Sequence, residues 1–424
     1  MTNLEPLVAY VGIDWADHQH DVLLQDVATG QTTSSRLPHT PEAISEWLVS
    51  LRQRFGNRPV GIAVETSRGP LVHALLEHDF VVLFPVNPRS LKRFRETFAP
   101  SGAKDDRPDA ALLCELLSKH RDRLRAWQPE AVGTRALRRL VESRRRTVDL
   151  RTQLTQQLTA ALKEYFPQAL EWAGEDLSRP LACDFLLRWP TLEAVQRARR
   201  KTLEAFYHTH NCRRPDRIAA RLDAIQDAVP LTRDPAIVET TALVVQMLAR
   251  QLQTVGSSIS QLDDEIAQRF AAHEDAALFR SLPGSGAALA PRLLVAFGTD
   301  RTRFHQVADV QEYSGIAPVL QRSGNSAVVH WRRRAPTFVR QSFHEFANQS
   351  IRFSPWARAY YALQRSRGKA HHAAIRALAF KWIRIIWRCW QDRTLYDDAR
   401  YTQSLFRHPT PLTNRLLPPS TKAA

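Results

Sequence analysis

Four acidic residues of this 424-residue chain occupy positions from which they could share a divalent metal ion. Asp14 ends the apolar run YVGID, and Glu65 directly follows the apolar run GIAV. Asp106 and Asp109 stand three residues apart in AKDDRPDAAL, where Pro108 suits the first turn of a helix. Strand ends and a helix start meet at one edge of an α/β sheet, so we expect the four carboxylates to converge there.

Carboxylate oxygens are the ligands that hard cations prefer, so the sequence predicts a site for two Mg²⁺ or Mn²⁺ ions. Two such ions stabilise the attacking and leaving oxygens of phosphoryl transfer. Each acid also has an ordinary structural explanation. The alternatives are a turn residue at a strand end, a surface charge, a helix N-cap and a residue favoured by the helix dipole. The combination favours the metal site, because an acid directly follows each of two apolar strands.

A second set of residues lies in GIAPVLQRSGNSAVVHWRRRAP (315–336), which contains serines and basic residues but no acid. A serine hydroxyl can attack a phosphodiester whose charge is neutralised by arginines, and the resulting ester conserves the energy needed to rejoin the strands. The motif supplies no clear base, so the hydroxyl must be activated from elsewhere, for which the metal site is a candidate. A polar hairpin with a solvated basic strand is the alternative. The arginines are Arg322, Arg332, Arg333 and Arg334.

The elements that must position the acids follow from the alternation of apolar and polar residues in the region 1–125, which predicts an α/β domain. Two β-rich runs between 7 and 26, and a third at TTSSRLPHT, predict an antiparallel meander. Strands and helices then alternate, which predicts a parallel extension of the same sheet. The later predicted elements are a helix at 41–55, a strand at 59–65, a helix at 69–78, a strand at 80–86 and a helix from 88.

The middle of the chain is helical and basic. From 131 to 166, arginines alternate with apolar residues, and Arg138, Arg139 and Arg145 are candidates for contacts with nucleic acid. A long solvated helix is the alternative. From 245 to 266, apolar residues recur at 3-4 spacing, which requires a partner helix along the seam. A helical hairpin and an intermolecular coiled coil both satisfy that pattern.

We divide the chain into the α/β domain 1–125, a helical and coiled-coil region 126–275, a mostly helical domain 276–400 and a flexible tail 401–424. The third region begins with SLPGSG, where proline and glycine predict a tight turn into an apolar helix. Such a turn is typical of a helix-hairpin-helix phosphate contact, and equally of an ordinary packing element between helices.

Lysine and arginine outnumber aspartate and glutamate by 59 to 43, which gives a net charge of +16. This excess is typical of proteins that bind polyanions, and nucleic acid is the expected partner. The four cysteines form no CxxC pair, which indicates reduced thiols and a cytoplasmic protein. No apolar stretch approaches the 18 residues of a membrane span, and we expect neither a signal peptide nor a membrane partner.

Several motifs together resemble the DEDD transposases of bacterial insertion sequences. They are YVGIDWADHQHDV, AVETSRGP, VNPRSLKRFRET and the aspartate-rich stretch in the first half, and FRSLPGSGAALAPRLLVAFG with the serine stretch in the second. With the helical middle, the resemblance covers most of residues 8–395. Carried over by position, the acidic tetrad of the family falls on Asp14, Glu65, Asp106 and Asp109, and its nucleophilic serine falls on Ser323.

The resemblance implies a RuvC-like domain of the ribonuclease H type, a coiled coil and a C-terminal domain that carries the serine. It also implies recombination of donor and target DNA by a dimer or tetramer, guided by a structured RNA that the element encodes, at the bacterial nucleoid. One departure concerns the residues after the serine turn. Many relatives have a Lys-x-Gly-Asn segment where this chain has RRRAPTFVRQSF, which leaves the role of the three arginines open.

Two other functions fit parts of the pattern. A junction-resolving nuclease of the same fold would hydrolyse DNA with the four acids and use the serine only structurally. A scaffold that binds RNA or DNA without catalysis is the third reading, and the complete set of four acids argues against it.

Overall fold

The computed structural model describes residues 6–66, 69–98, 109–323, 326–330, 332, 335–407 and 410–416. The chain divides into two compact units, Met1–Pro129 and Glu130–Ala424. The first is built around a β-sheet, and the second consists mainly of helices. None of the helices within these described ranges is both long and apolar enough to cross a membrane.

The first unit contains a five-stranded sheet in the order β3-β2-β1-β4-β5. Strands β1, β2 and β3 form the antiparallel meander, and β4 and β5 run parallel to β1. The mixed α/β architecture of this part is therefore as predicted. The strands are β1 (Ala9–Asp14), β2 (Gln19–Asp26), β3 (Thr32–Pro38), β4 (Val60–Val64) and β5 (Val81–Pro85).

Helices cover both faces of this sheet, so its central strands are apolar on both sides. One apolar cluster joins the sheet to α1 and α2, and a second joins it to α3 and α4. Strand β4 is buried along its whole length, as expected for a central parallel strand. The helices are α1 (Pro41–Phe55), α2 (Pro70–Leu75), α3 (Pro88–Phe98) and α4 (Asp109–Lys119).

The second unit begins with two long helices, α5 (Val132–Tyr165) and α11 (Pro235–Ala271), joined by a set of shorter ones. These two helices span two apolar cores. One core contains the C-terminal half of α5 and the shorter helices, and the other contains residues from 276 onward. The intervening helices are α6 (Ala169–Trp172), α7 (Pro180–Arg188), α8 (Leu192–Gln196), α9 (Arg200–Thr209) and α10 (Pro215–Asp227).

The apolar seam predicted at 245–266 packs within the chain, against α5. The two helices run antiparallel: Thr134 Oγ1 lies 3.0 Å from His273 Nε2, and Arg144 Nη2 donates to Asp263 Oδ2 at 3.0 Å. Each fully buried aliphatic side chain along such a seam contributes roughly 1.5–3 kcal/mol. The intramolecular alternative for this seam is therefore the observed one. Its buried residues are Val245, Leu248, Leu252, Val255, Ile259 and Ile266, and Leu262 is half-buried.

The rest of the second unit surrounds an aromatic core in which three tryptophans, Trp356, Trp382 and Trp390, are fully buried. It also contains one β-hairpin, formed by β6 (Val319–Ser323) and β7 (Ser326–His330). Its helices are α12 (Ala276–Arg280), α13 (Gly286–Phe297), α14 (Val307–Tyr313), α15 (Thr337–Phe353), α16 (Pro355–Ser366), α17 (His371–Gln391), α18 (Asp398–Phe406) and α19 (Thr413–Leu416).

The described part of the predicted tail 401–424 contains helical residues. Tyr401 packs against Trp356, with 4.9 Å between the ring centroids, and Leu412 is buried. Arg415 Nη2 donates to Ser366 Oγ at 2.8 Å. Apolar side chains spaced along α18 and α19 pack this segment against the aromatic core. The polar composition of the segment does not predict this packing.

Candidate active site

Asp14 and Glu65 are brought together by the pairing of two parallel strands. In the register of β1 and β4, Ile13 lies beside Val64, so the next residues along the two strands are the two acids. Neighbouring strands lie about 4.8 Å apart, and equivalent positions of a parallel pair face the same side. Both acids are partly buried. They therefore form a pair at the carboxyl edge of the sheet, where sites of α/β proteins occur.

Asp109 reaches the same edge because α4 lies directly on β1 at Gly12. A Cβ atom added to Gly12 would lie 2.0 Å from the Ala110 carbonyl oxygen and 2.5 Å from the Cys114 nitrogen. Only glycine permits this close approach of backbone to backbone. Asp14 is two residues after Gly12 and so faces the same side of the strand. Asp109, the first residue of α4, therefore begins its helix beside Asp14.

The acids interact electrostatically. Burial raises the pKa of Asp14, and the charges of Asp109 and Asp21 raise it further, while Arg95 opposes them. Burial likewise raises the pKa of Glu65, with added contributions from Asp109 and Asp14, again opposed by Arg95. Like charges in a partly dry site disfavour ionisation, and a bound cation would remove that penalty. Three of the four predicted acids thus lie within electrostatic reach of one another.

Arg95 in α3 is a residue of this edge that the sequence pattern does not reveal. Its guanidinium forms an ion pair with Asp109, and its Nε is buried without a hydrogen-bond partner among the described residues. The helix sequence PRSLKRFRETF contains four basic residues, and nothing in their spacing distinguishes the one that turns inward. The pairing depends on how α3 packs beside α4, which is a tertiary contact.

The donor chemistry of Asp14, Glu65 and Asp109 fits a hard cation, because these residues offer carboxylate oxygens. Asp106, the fourth predicted acid, lies outside the described residues. Within the described ranges, no three histidine, cysteine, aspartate or glutamate side chains are grouped closely enough to hold a metal ion. One oxygen of Asp109 is engaged in the ion pair with Arg95. The four-acid metal site remains a prediction.

The serine stretch contributes the antiparallel pair β6 and β7, in which Ser323 ends the first strand and lies opposite Ser326, the first residue of the second. Leu320 and Val329, which also pair and whose side chains the structure describes, are 50% and 64% exposed. The backbone of Arg322 lies in β6, beside Ala327. This hairpin belongs to the second unit, whereas the acids belong to the first.

The arginines after the hairpin are only partly described. Arg332 Nη1 lies 3.5 Å from Glu312 Oε2, while Arg332 Nε is buried without a hydrogen-bond partner among the described residues. Arg333 and Arg334 lie outside the described residues. The predicted role of these arginines in holding a phosphate therefore remains a prediction.

The candidate arginines of α5 differ in their surroundings. Arg138 donates to the carbonyl oxygen of Val295, so this side chain helps to fix α5 against α13. Arg145 Nη1 donates to Glu345 Oε1 at 3.0 Å. Arg139 is exposed. Two of the three arginines predicted to contact nucleic acid, Arg138 and Arg145, thus also stabilise the fold of the second unit.

Both halves of the chain match families of transposases. Residues 11–167, which contain the three described acids, match a family described as "Transposase". Residues 276–362, which contain the hairpin, match the family described as "Transposase IS116/IS110/IS902 family". The two matches together cover more than half of the chain.

Relatives of similar length extend this similarity over nearly the whole chain. The mini-circle putative transposase for IS117 of Streptomyces coelicolor is 28% identical, with 93% of this chain and 97% of the relative covered. The uncharacterized 42 kDa protein of insertion element IS900 of Mycobacterium paratuberculosis is also 28% identical, covering 94% and 99%. The putative transposase y4uE of Sinorhizobium fredii is 33% identical over a shorter region, which covers 49% of this chain and 58% of the length of the relative.

Proposed function

Because the chain belongs to the IS116/IS110/IS902 family of insertion-sequence transposases, we propose that it cuts and rejoins DNA through a covalent serine–DNA intermediate. The acids of the first unit and Ser323 of the second act together in this proposal. The first unit has the order of strands expected of a RuvC-like, ribonuclease H-type domain, with an antiparallel meander followed by parallel strands. The substrates are the donor and target DNA of the element.

The observation that carries the proposal is the convergence of Asp14, Glu65 and Asp109 at one sheet edge. Two parallel strands and the close contact at Gly12 bring them there, and the raised pKa values of Asp14 and Glu65 reflect negative charge in a partly buried place. Arg95 offsets only part of the repulsion among these acids, and the rest opposes folding, so a catalytic use explains their clustering better than a structural one. This is why a scaffold without catalysis is the weaker explanation.

We assign Asp14, Glu65, Asp106 and Asp109 as the residues that would hold Mg²⁺ or Mn²⁺. Such ions, when bound, stabilise the negative charge that develops on the phosphate and on the leaving oxygen. Arg95 neutralises part of the acid cluster in the absence of a cation, since it pairs with Asp109. Release of Asp109 from Arg95 would free both carboxylate oxygens for the ion.

In the chemical step, the Oγ of Ser323 attacks a DNA phosphorus atom. The Oγ–P bond forms as one P–O bond of the strand breaks, and the serine proton passes to the deoxyribose hydroxyl that leaves. Attack on the new ester by another strand hydroxyl reverses these changes and releases the serine. The number of phosphoester bonds stays constant, so no ATP is required. Arg322 and the arginines 332–334 would neutralise the phosphate.

The partners in this proposal are the two DNA molecules, a structured RNA encoded by the element, and further copies of the protein. The net charge of +16 supports binding of polyanions of either kind. The seam of α11 is already filled by α5, so a dimer or tetramer must use another surface. The exposed face of α11 at Leu243, Val244 and Met247 is the candidate for that contact.

Mixing two inactive variants tests whether the acids and the serine form one shared site. Asp14→Asn and Ser323→Ala proteins should each fail to recombine DNA carrying the element ends. If the site is shared between subunits, the mixture should recover part of the activity. Some pairs of subunits then combine the intact acids of the Ser323→Ala protein with the intact serine of the Asp14→Asn protein. A Ser326→Ala protein is the matched control and should remain active.

Product analysis of the same reactions separates the proposal from its alternatives. Recombined strands support it. DNA ends produced by hydrolysis, at equal rates in the wild type and in Ser323→Ala, would favour a junction-resolving nuclease. If the protein binds DNA but neither cuts nor rejoins it with any divalent metal ion added, the result would favour the scaffold.

A further inference from the structure

The connection between β1 and β2 (residues 15–18) leaves the sheet directly after Asp14 and is held by a buried histidine. His20, near the start of β2, is 0% exposed. The backbone N–H of Ala16 donates to His20 Nδ1 at 3.2 Å. The pairing of β1 with β2 ends at Asp14 and Asp21, two residues before Ala16. The His20 ring therefore fixes the backbone just beyond the last paired residue of β1.

The second ring nitrogen of His20 faces another histidine. His20 Nε2 lies 2.9 Å from His39 Nδ1, and the two rings meet edge to face, with 4.9 Å between their centroids. His39 follows β3 and precedes Thr40, the N-cap of α1. The backbone N–H of His39 also donates to the His18 carbonyl oxygen at 2.8 Å. His39 thus ties the β1–β2 connection to the start of α1, both directly and through His20.

These contacts determine which nitrogen of the His20 ring carries the proton. A backbone N–H can only donate, so His20 Nδ1 accepts from Ala16 and carries no proton. The proton of the neutral ring is therefore on Nε2, which donates it to His39 Nδ1. Burial lowers the pKa of His20 and His39 lowers it further, which favours the neutral ring at pH 7. The hydrogen bonds consequently run in one direction, from Ala16 through His20 to His39.

A histidine is a costly residue at this place in the sheet. Side chains alternate along β2, so His20 shares its face with Val22 and Leu24, which belong to the apolar cluster that joins the sheet to α1 and α2. An aliphatic residue would fill the same space without removing two ring nitrogens from water. Both nitrogens instead hold the connection that follows Asp14. This use of the ring indicates a role in placing Asp14 in addition to packing.

We propose that His20 is a positioning residue for Asp14, on which it acts through the Ala16 backbone, and that His39 sets the tautomer that this role requires. The proposal rests on the proposed function, which gives Asp14 its role in holding a divalent cation. His20 itself would touch neither the cation nor the DNA. Replacing a residue that orients a metal ligand typically changes metal affinity or activity by about 10–100-fold.

Two amide substitutions separate the two ring nitrogens. In His20→Asn the side-chain oxygen can take the place of Nδ1 and accept the Ala16 N–H, while the contact with His39 is lost. In His20→Gln the amide reaches the place of Nε2 and keeps the contact with His39, while the Ala16 N–H loses its acceptor. His20→Asn removes more buried volume and should have the lower melting temperature of the two. A purely structural role therefore predicts lower activity for His20→Asn, and a positioning role predicts lower activity for His20→Gln.

The measurements are the affinity of the metal-free full-length protein for Mn²⁺, by isothermal titration calorimetry, and the rate of recombination of DNA carrying the element ends. Binding of Mn²⁺ that persists in Asp14→Asn protein is subtracted. His20→Gln should lose about 10–100-fold in both measurements, and His20→Asn should stay within about three-fold of the wild type.

His273→Gln is the matched control, because His273 makes the same pair of contacts in the second unit. Its Nδ1 accepts from the Asp275 backbone N–H at 3.1 Å, and its Nε2 lies 3.0 Å from Thr134 Oγ1. The acids belong to the first unit. His273→Gln should therefore leave the affinity for Mn²⁺ unchanged.

Wild-type affinity and rate in His20→Gln, or losses as large in His20→Asn as in His20→Gln, would overturn the positioning role and leave the proposed function intact. A wild-type protein that neither binds Mn²⁺ nor recombines DNA would overturn both. The ¹⁵N NMR spectrum of the histidine rings tests the geometry independently of activity. The ring signal that disappears in His20→Asn should be that of a neutral ring protonated at Nε2. A ring protonated at Nδ1 would contradict the hydrogen bond from Ala16.

Discussion

Replacing Gly12 with alanine should damage the acid cluster without touching any acid. The new Cβ would lie 2.0 Å from the Ala110 carbonyl oxygen and 2.5 Å from the Cys114 nitrogen, and both are backbone atoms of α4. The helix must therefore move by about 1 Å or more to reach ordinary contact distances. Overpacking of this kind costs about 1–3 kcal/mol. The hydrogen bond from Cys114 Sγ to the Tyr10 carbonyl oxygen, at 3.4 Å, would be lost as well.

The effect on activity should exceed the effect on stability. Asp109 begins α4 and moves with it, and a misplacement of about 1 Å at a catalytic centre costs on the order of 100-fold in rate. Urea unfolding measures the change in free energy, and recombination of DNA carrying the element ends measures the activity. We expect a loss of about 2–3 kcal/mol together with nearly complete loss of recombination.

Gly61→Ala is the matched control, because Gly61 lies beside Tyr10 in the adjacent strand. Its added Cβ would meet the side chains of Leu7 and Leu117, at 2.6 and 3.2 Å, instead of helix backbone. Side chains can rotate away, so the cost should stay below about 1.5 kcal/mol and recombination should persist. A Gly12→Ala protein as stable and as active as Gly61→Ala would show that the close contact at Gly12 does not position Asp109.

Two further predictions concern stability. Asp14→Asn should stabilise the metal-free protein at pH 7, because burial and Asp109 raise the pKa of Asp14. With a raised folded-state pKa the native state binds more protons, so wild-type stability falls relative to the variant as pH rises above the ordinary aspartate pKa. Urea unfolding in EDTA at several pH values checks this, and a variant less stable than wild type would contradict it. Leu252→Ala should cost about 2–5 kcal/mol, because Leu252 of α11 is fully buried in the core that α11 shares with α5. A cost below about 1 kcal/mol in the same assay would show that the seam is loosely packed.

The order of elements in the first unit was predictable because its signals are local. Alternation of apolar and polar residues predicted the strands, and the helices predicted at 41–55 and from 88 correspond to α1 and α3. The pairing of Asp14 with Glu65 followed from the acid directly after each of two parallel strands. These inferences required only the periodicity of strands and the way α/β sheets are connected.

The residues that the sequence did not reveal depend on contacts between distant segments. Arg95 is one of several basic residues in α3, and only the packing of α3 beside α4 selects it. The apolar seam of α11 was equally consistent with a partner helix in the same chain and with one in another chain. A heptad pattern shows that a partner helix is needed but does not show which helix it is.

The central claim is that Ser323 forms a covalent bond with DNA. The most direct measurement is to trap wild-type protein on a nicked DNA substrate, digest the complex and locate the modified peptide by mass spectrometry. We expect a phosphodiester between a nucleotide and the Oγ of Ser323, and no adduct with Ser323→Ala protein. Attachment at Ser326, or strand exchange without any protein–DNA adduct, would contradict it.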